Sequence, residues 1–185
     1  MKTLLLLFIL TSPLLHAQTT PANPQYEGIW EGYDGEWGHV SRQLIALAQA
    51  IPADKYTWRP APRVRSISEV YMHIVVANFY LLSVTGLKVP ADINLDDMEQ
   101  KVTSKAEVIR DLERSLNAVK TARAQLKPGD LQRKVQIEGK TVPVDGMYLR
   151  IIIHDNEHMG QLIAYARMNG IVPPWSILEN SATKK

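Results

Sequence analysis

The chain has no cysteine among its 185 residues. That absence excludes disulfides, cysteine-based zinc sites and thiol nucleophiles together. It also lacks any block of like charge. Lys and Arg number 21, Asp and Glu 19, and they are interspersed, for a net charge of +2. Neither a nucleic-acid footprint nor an acidic tail is present. No serine nucleophile arrangement is recognisable, and the zincin order H-E-x-x-H is missing. Histidine is scarce, with 5 residues in all, and the chemistry of the chain turns on where they stand.

The N-terminus reads as a targeting segment rather than as fold. Met1-Lys2 is a short positive region, Leu4 to Leu10 an apolar run broken by Thr11, Ser12 and Pro13, and Ala17 a small residue at the junction. This is the pattern of a cleaved signal peptide, with cleavage expected after Ala17. The run is too short for a spanning anchor, which needs about 20 residues, and no cysteine follows it to carry a lipid. The expected division is therefore a signal peptide over 1–17, a flexible lead-in over 18–32, one domain over 33–178 and a disordered tail over 179–185. The mature protein is expected in the periplasm or secreted. A chain of this length suffices for one domain with a sizeable core.

Helical periodicity dominates the mature chain. Asp34 is placed to cap a first helix, whose stripe is Trp37, Val40, Leu44, Leu47 and Ile51, stopped by Pro52. The stretch Lys55 to Pro62 is punctuated by proline and extended. Ser66-Ile67-Ser68-Glu69 is a capping box. It opens a second helix carrying Ile67, Val70, His73, Ile74, Ala77, Tyr80, Leu81 and Val84, closed by Gly86. A second box, Ser104 to Glu107, opens a third helix with the stripe Val108, Leu112, Leu116, Val119 and Leu126. Alternation around Glu138-Gly139 marks a small hairpin between Arg133 and Val144. A fourth helix runs from about Asp145 to Asn169, with Gly170 as its stop. Four amphipathic helices, with a long connection between the second and third, specify an all-α, up-down four-helix bundle with a long crossover and a hairpin before the last helix.

Bundles of this kind build metal sites from side chains on facing helices. His154 and His158 stand at i, i+4, a spacing that rotates by about 40° and rises about 6 Å, so both imidazoles leave one face. Ile151, Gln161, Leu162 and Tyr165 share it. His73 lies on the inward face of the second helix with Val70, Ile74 and Ala77. A lone histidine on a helix is more often a surface or hydrogen-bonded core residue than a ligand. Three imidazoles in an apolar core are different, because each unsatisfied polar group there costs roughly 1–3 kcal/mol. One divalent metal satisfies all three and keeps an open coordination position.

Other residues divide between roles. Gln161, one turn beyond His158, is a candidate to orient a ligand imidazole or water. Glu157 sits at the edge of the metal face, and a surface carboxylate is an equal reading. Gly160 leaves room for a neighbouring helix to approach. Tyr80 and Tyr165 are pocket-lining or core residues, with core packing favoured. His39 lies beside its helix's stripe and reads as a rim histidine, or as a fourth ligand in a structural site. His154-x-x-Glu157-His158 also fits the inverted protease order H-x-x-E-H. That class needs an acidic ligand well downstream, and Glu179 is the only carboxylate side chain after His158.

Trp58-Arg59-Pro60, Ser66-Ile67-Ser68-Glu69 and His73 resemble the front half of the DinB-like family. His154-Asp155-Asn156-Glu157-His158-Met159-Gly160-Gln161 resembles its closing motif, H-x-x-x-H-x-G-Q. The resemblance spans roughly Tyr33 to Trp175. It implies a bundle holding a divalent metal, zinc or nickel first, on His73, His154 and His158. Related members are metal-dependent thiol transferases, thiol-dependent isomerases or metal-dependent hydrolases acting on small molecules. The active group would then be a metal-bound water or thiolate rather than a side chain. The substrate would be a small molecule, with a low-molecular-weight thiol as cosubstrate. The expected export of this chain departs from a cytosolic thiol pool. A non-catalytic bundle that binds metal or ligand stays open beside the enzyme, as does a homodimer.

Overall fold

The computed structural model describes residues 32–176. The expected signal peptide, almost all of the lead-in and the tail lie outside them. Among the described residues, five α-helices and two strands follow in chain order, with short 3-10 turns at Ala53–Lys55 and Asp130–Gln132. Helix α1 is Gly32–Ala50, α2 is Ile67–Val84, α3 is Met98–Lys101 and α4 is Lys105–Ala124. Strands β1 (Lys134–Ile137) and β2 (Lys140–Pro143) lead into α5 (Val144–Met168).

The α1 stripe is buried throughout, at Trp37, Val40, Leu44, Leu47 and Ile51. It meets the buried faces of α2 (Ile67, Val70, Ile74), α4 (Val108, Leu112, Leu116, Val119) and α5 (Ile151, Leu162). Fully burying one such aliphatic side chain is worth about 1.5–3 kcal/mol, so these stripes rather than helix propensity hold the bundle. Helices α1 and α2 each pack against both α4 and α5.

Side-chain ties give the helix directions. Lys105 at the start of α4 donates to Gln49 O and Ile51 O at the end of α1, both at 2.7 Å. Trp37 Nε1, near the start of α1, donates to Leu116 O. Helix α4 is therefore antiparallel to α1. The long crossover carries the chain back along α2, so α4 runs the same way as α2. Lys105 also supplies the cation that the last turn of α1 lacks.

The signals at the helix ends act locally. At Ser66 the capping box is complete: Glu69 N donates to Ser66 Oγ, and Ser66 N donates to Glu69 Oε2. At Ser104 the hydroxyl accepts from Glu107 N and also bonds the Glu107 carboxylate. The hairpin pairs Val135 with Val142 and Ile137 with Lys140. Glu138 and Gly139 both have positive φ, 49° and 75°, as a two-residue turn matched to strand twist requires.

Four expectations are corrected. Helix α1 begins at Gly32, so Asp34 lies inside its first turn and does not precede it. Leu126 falls beyond the end of α4 and is only partly buried. Tyr80 is 41 % exposed, turned out on the solvent face of α2 rather than into core or pocket. Gly160 has open space around it: a Cβ there would meet nothing within 4 Å, so no helix approaches. The one-turn helix α3 was not expected, because four residues carry no periodic signal.

Candidate metal centre

Helix α2 carries His73 and helix α5 carries His154 and His158, and the two helices pack side by side. The three rings close on one another, with centroids 5.0, 4.8 and 4.5 Å apart. One ring nitrogen from each lies within 4.8 Å of the other two. His154 is buried, at 7 % exposure. His73 and His158 are half-buried, so the cluster opens to solvent on one side.

Hydrogen-bond partners indicate which nitrogen two of the three rings present. His73 Nδ1 donates to Glu99 Oε2 at 3.0 Å, since an ionised carboxylate can only accept. His158 Nδ1 donates to Gln161 Oε1 at 2.9 Å, and Gln161 Nε2 donates to Tyr165 OH at 2.8 Å. Both imidazoles are thus held with Nε2 bare. His154 Nε2 stands 3.2 Å from His73 Nε2, while its buried Nδ1 has no partner. Tetrahedral zinc at about 2.0–2.1 Å from nitrogen spaces its ligands by about 3.3–3.4 Å. The donor set and the His73–His154 spacing fit such an ion.

Electrostatics favour the neutral, ligand form of His154 and His73. Burial, reinforced by the neighbouring His158 and His73, lowers the His154 pKa to about 4. Burial also lowers that of His73, aided by Arg65 and opposed by Glu99. At neutral pH these two rings are uncharged, so a cation need not displace protons from them.

The resembling motif around Trp58 builds one wall. The Trp58 ring packs edge-on against Tyr165, 5.5 Å between centroids. Arg59 donates to Val64 O and to Glu69 Oε1, each at 2.9 Å. That clamps the proline-rich connection onto the capping box of α2, one turn ahead of His73. Gln161 is thus fixed from both ends, by His158 and by Tyr165 with Trp58 behind it.

Other candidates stand elsewhere. Glu157 is exposed and pairs with Arg150 at 3.2 Å, with no bond to an imidazole. His39, half-buried on α1, is not part of the cluster: among the described residues the metal-capable group has three members.

Two groups of polar residues were invisible in the sequence reading. One is Glu99, whose Oε1 accepts from Arg65 Nε at 2.7 Å while Oε2 holds His73. The other is a buried set beneath the histidines. Asn78 Nδ2 lies 3.3 Å from Asp155 Oδ2 and 3.4 Å from Ser115 Oγ. Asp155 is fully buried, and burial holds its carboxyl well above the usual carboxylate range, against the Asn78 hydrogen bond. The only signal for Asp155 was its place beside His154. Its inward side follows from the 100° step per residue.

The comparisons with known proteins bear on this architecture. The model of the DinB superfamily matches residues 37–162, a span running from Trp37 to Leu162 and including all three histidines. A DinB-like protein from Bacillus cereus superposes with a TM-score of 0.68 at 23 % identity, covering 78 % of this chain and 95 % of that one. A DinB-like protein from Bacillus subtilis superposes at 0.55 with 17 % identity, covering 75 % of this chain and 92 % of that one. At these identities the two structures speak for the fold alone. Among curated proteins none matches this chain. With the family model spanning more than half of its residues, helices, motifs and histidines together, the chain belongs to the DinB superfamily.

Proposed function

We propose that the protein is a metal-dependent enzyme acting on a small molecule, by thiol transfer or by hydrolysis. The observation that carries this reading is the convergence of three imidazoles, two of them oriented through Nδ1, at a place open to solvent on one side. Bound there, a divalent ion with a free position would supply Lewis acidity to a water or a thiol. Zinc and nickel suit an imidazole set, and the donor chemistry does not separate them. The protein's own share is positional. His73, His154 and His158 hold the ion, Gln161 keeps His158 in its tautomer, and Trp58 and Tyr165 back Gln161. The absence of a fourth ligand among the described residues favours this over a closed structural site. A bundle that binds metal or ligand without turnover is the second reading. Metal-loaded protein should be screened against thiols paired with electrophiles, and against esters. Turnover that needs the metal supports the proposal; its absence across both panels favours the second reading.

Gln161→Ala is expected to weaken metal affinity or turnover by roughly 10- to 100-fold, the usual effect of losing a residue that orients a ligand imidazole. A chelator-competition titration checks this, and wild-type affinity and rate in the variant would remove Gln161 from the site.

We also propose that the protein is exported. The apolar run Leu4 to Leu10 and the Ala17 junction support it. N-terminal sequencing of the protein from its native host is expected to begin near Gln18. A full-length cytosolic product would refute export. An exported enzyme would draw on small thiols or electrophiles outside the cytosol.

A further inference from the structure

We propose that Glu99 is a positioning residue that makes the α2–α4 crossover part of the metal site, so that metal loading and docking of the crossover are one coupled equilibrium. The inference rests on the metal reading above. Its basis is a single carboxylate with both oxygens committed. Oε1 accepts from Arg65 Nε at 2.7 Å, and Oε2 accepts from His73 Nδ1 at 3.0 Å. The Glu99 side chain is 18 % exposed and that of His73 24 %, so the bond between them is not fully diluted by water, whereas the Arg65 side chain is more exposed.

The residue's location gives this pair its consequence. Glu99 sits on α3, a helix of four residues. One turn cannot sustain itself, since forming a helix nucleus is unfavourable. The crossover is therefore held by what it touches. Ile93 and Met98 are buried against the core. Arg114 holds Asp92 through two bonds at 2.8 and 3.1 Å, but that pair is exposed and such pairs are worth little. Leu87, Val89, Leu95 and Val102 also pack against the core. Glu99 adds a polar tie, and it ends on a candidate ligand.

A carboxylate accepting the outer N–H of a metal-bound imidazole fixes the ring and raises its basicity. A cation on Nε2 also makes Nδ1–H a stronger donor, which tightens the bond to Glu99. The two effects are reciprocal by linkage: a metal that holds Glu99 in place is itself held by it, by the same factor. Arg65 closes the arrangement from the other side. It directly precedes the N-cap Ser66, so the carboxylate spans the start of α2, its second turn and the crossover.

The rival account is that Glu99 serves only as the ion-pair partner of Arg65. The test uses the full mature chain with zinc, and with cobalt as a spectroscopic probe, in Glu99→Ala, Glu99→Gln, Glu99→Asp and Arg65→Met. Glu99→Ala and Glu99→Gln are expected to lose roughly 10- to 100-fold in metal affinity. Glu99→Asp should regain part of it, and Arg65→Met should lose less than either. The visible cobalt spectrum should change in Glu99→Ala and stay close to wild type in Arg65→Met. Amide exchange over residues 93–102 should slow on metal addition in the wild type and not in Glu99→Ala. Should Glu99→Ala fail to fold, Glu99→Gln, close in shape, carries the same test. Undiminished affinity in folded Glu99 variants overturns the proposal while leaving the metal site intact. Weakened affinity with no metal-dependent protection of 93–102 overturns the coupling. A wild type that binds no metal overturns the site itself, a distinct result.

Discussion

One divalent ion per chain in the wild type, and a loss of affinity beyond about 100-fold in His154→Ala, is the expected result of metal analysis. The figure exceeds the upper end of what changes outside the ligand sphere cost. His154 is the sharpest position to test. It is the most buried of the three histidines, and its Nε2 lies 3.2 Å from that of His73. Its pKa near 4 keeps the ring neutral, so proton competition does not complicate the comparison at pH 7. Truncation also leaves a cavity in a packed region, so the melting curve of the metal-free variant must accompany the titration. His158→Ala provides the partner measurement, because that half-buried ring can be removed with less disturbance of the core. Equal metal content in the wild type and both variants would sink the three-histidine site.

The contrast between His73 and Glu99 shows where a sequence stops being informative. His73 could be read because it occupies a periodic position on a long helix opened by a capping box. Period and cap together fix which way a side chain faces. The same logic located the α1, α4 and α5 stripes, nearly all of which are buried. Glu99 had no such frame. It lies in a connection whose path is set by tertiary contacts of Ile93 and Met98, and no local rule places it beside a histidine 26 residues away. Tyr80 shows the opposite failure. It shares a helix with inward residues, but the position where α2 leaves its neighbours and faces water depends on packing. Gly160 fits the family motif, but the reason assigned to it, a close helix approach, needed a neighbour that the fold does not supply.

The buried Asn78, Asp155 and Ser115 set adds a further physical lesson. The 100° step per residue allows Asp155 an inward place beside His154, but nothing local in the sequence supplies a partner for an ionisable residue there. The structure gives the carboxyl an amide partner and, through burial, favours its neutral form. Local rules recognise the apolar core well and its polar interior poorly, because partners across helices are distant in sequence.

Removing the metal is expected to abolish turnover while the bundle stays folded. The reasoning separates what the ion would hold from what the core holds. The apolar stripes of all four long helices meet in one cluster that includes Trp37, Leu44, Ile74, Leu112 and Leu162, none of which depends on a ligand. Each contributes on the order of 2 kcal/mol by burial, whereas the histidines stand at one open edge between α2 and α5. Chemistry has no comparable reserve. The chain has no cysteine, its sequence shows no serine nucleophile arrangement, and Glu157 is engaged with Arg150 away from the rings. A chelation series should therefore show turnover falling with bound metal, by at least 100-fold, while far-UV circular dichroism keeps its helical signal. Readdition of zinc or nickel should restore the rate. The two signals give three separable results. Full activity in metal-free protein would eliminate the proposed mechanism. Loss of helical signal in step with the metal would move the ion to a structural role. Loss of activity with the helices intact and recovery on reloading would place the chemistry at His73, His154 and His158.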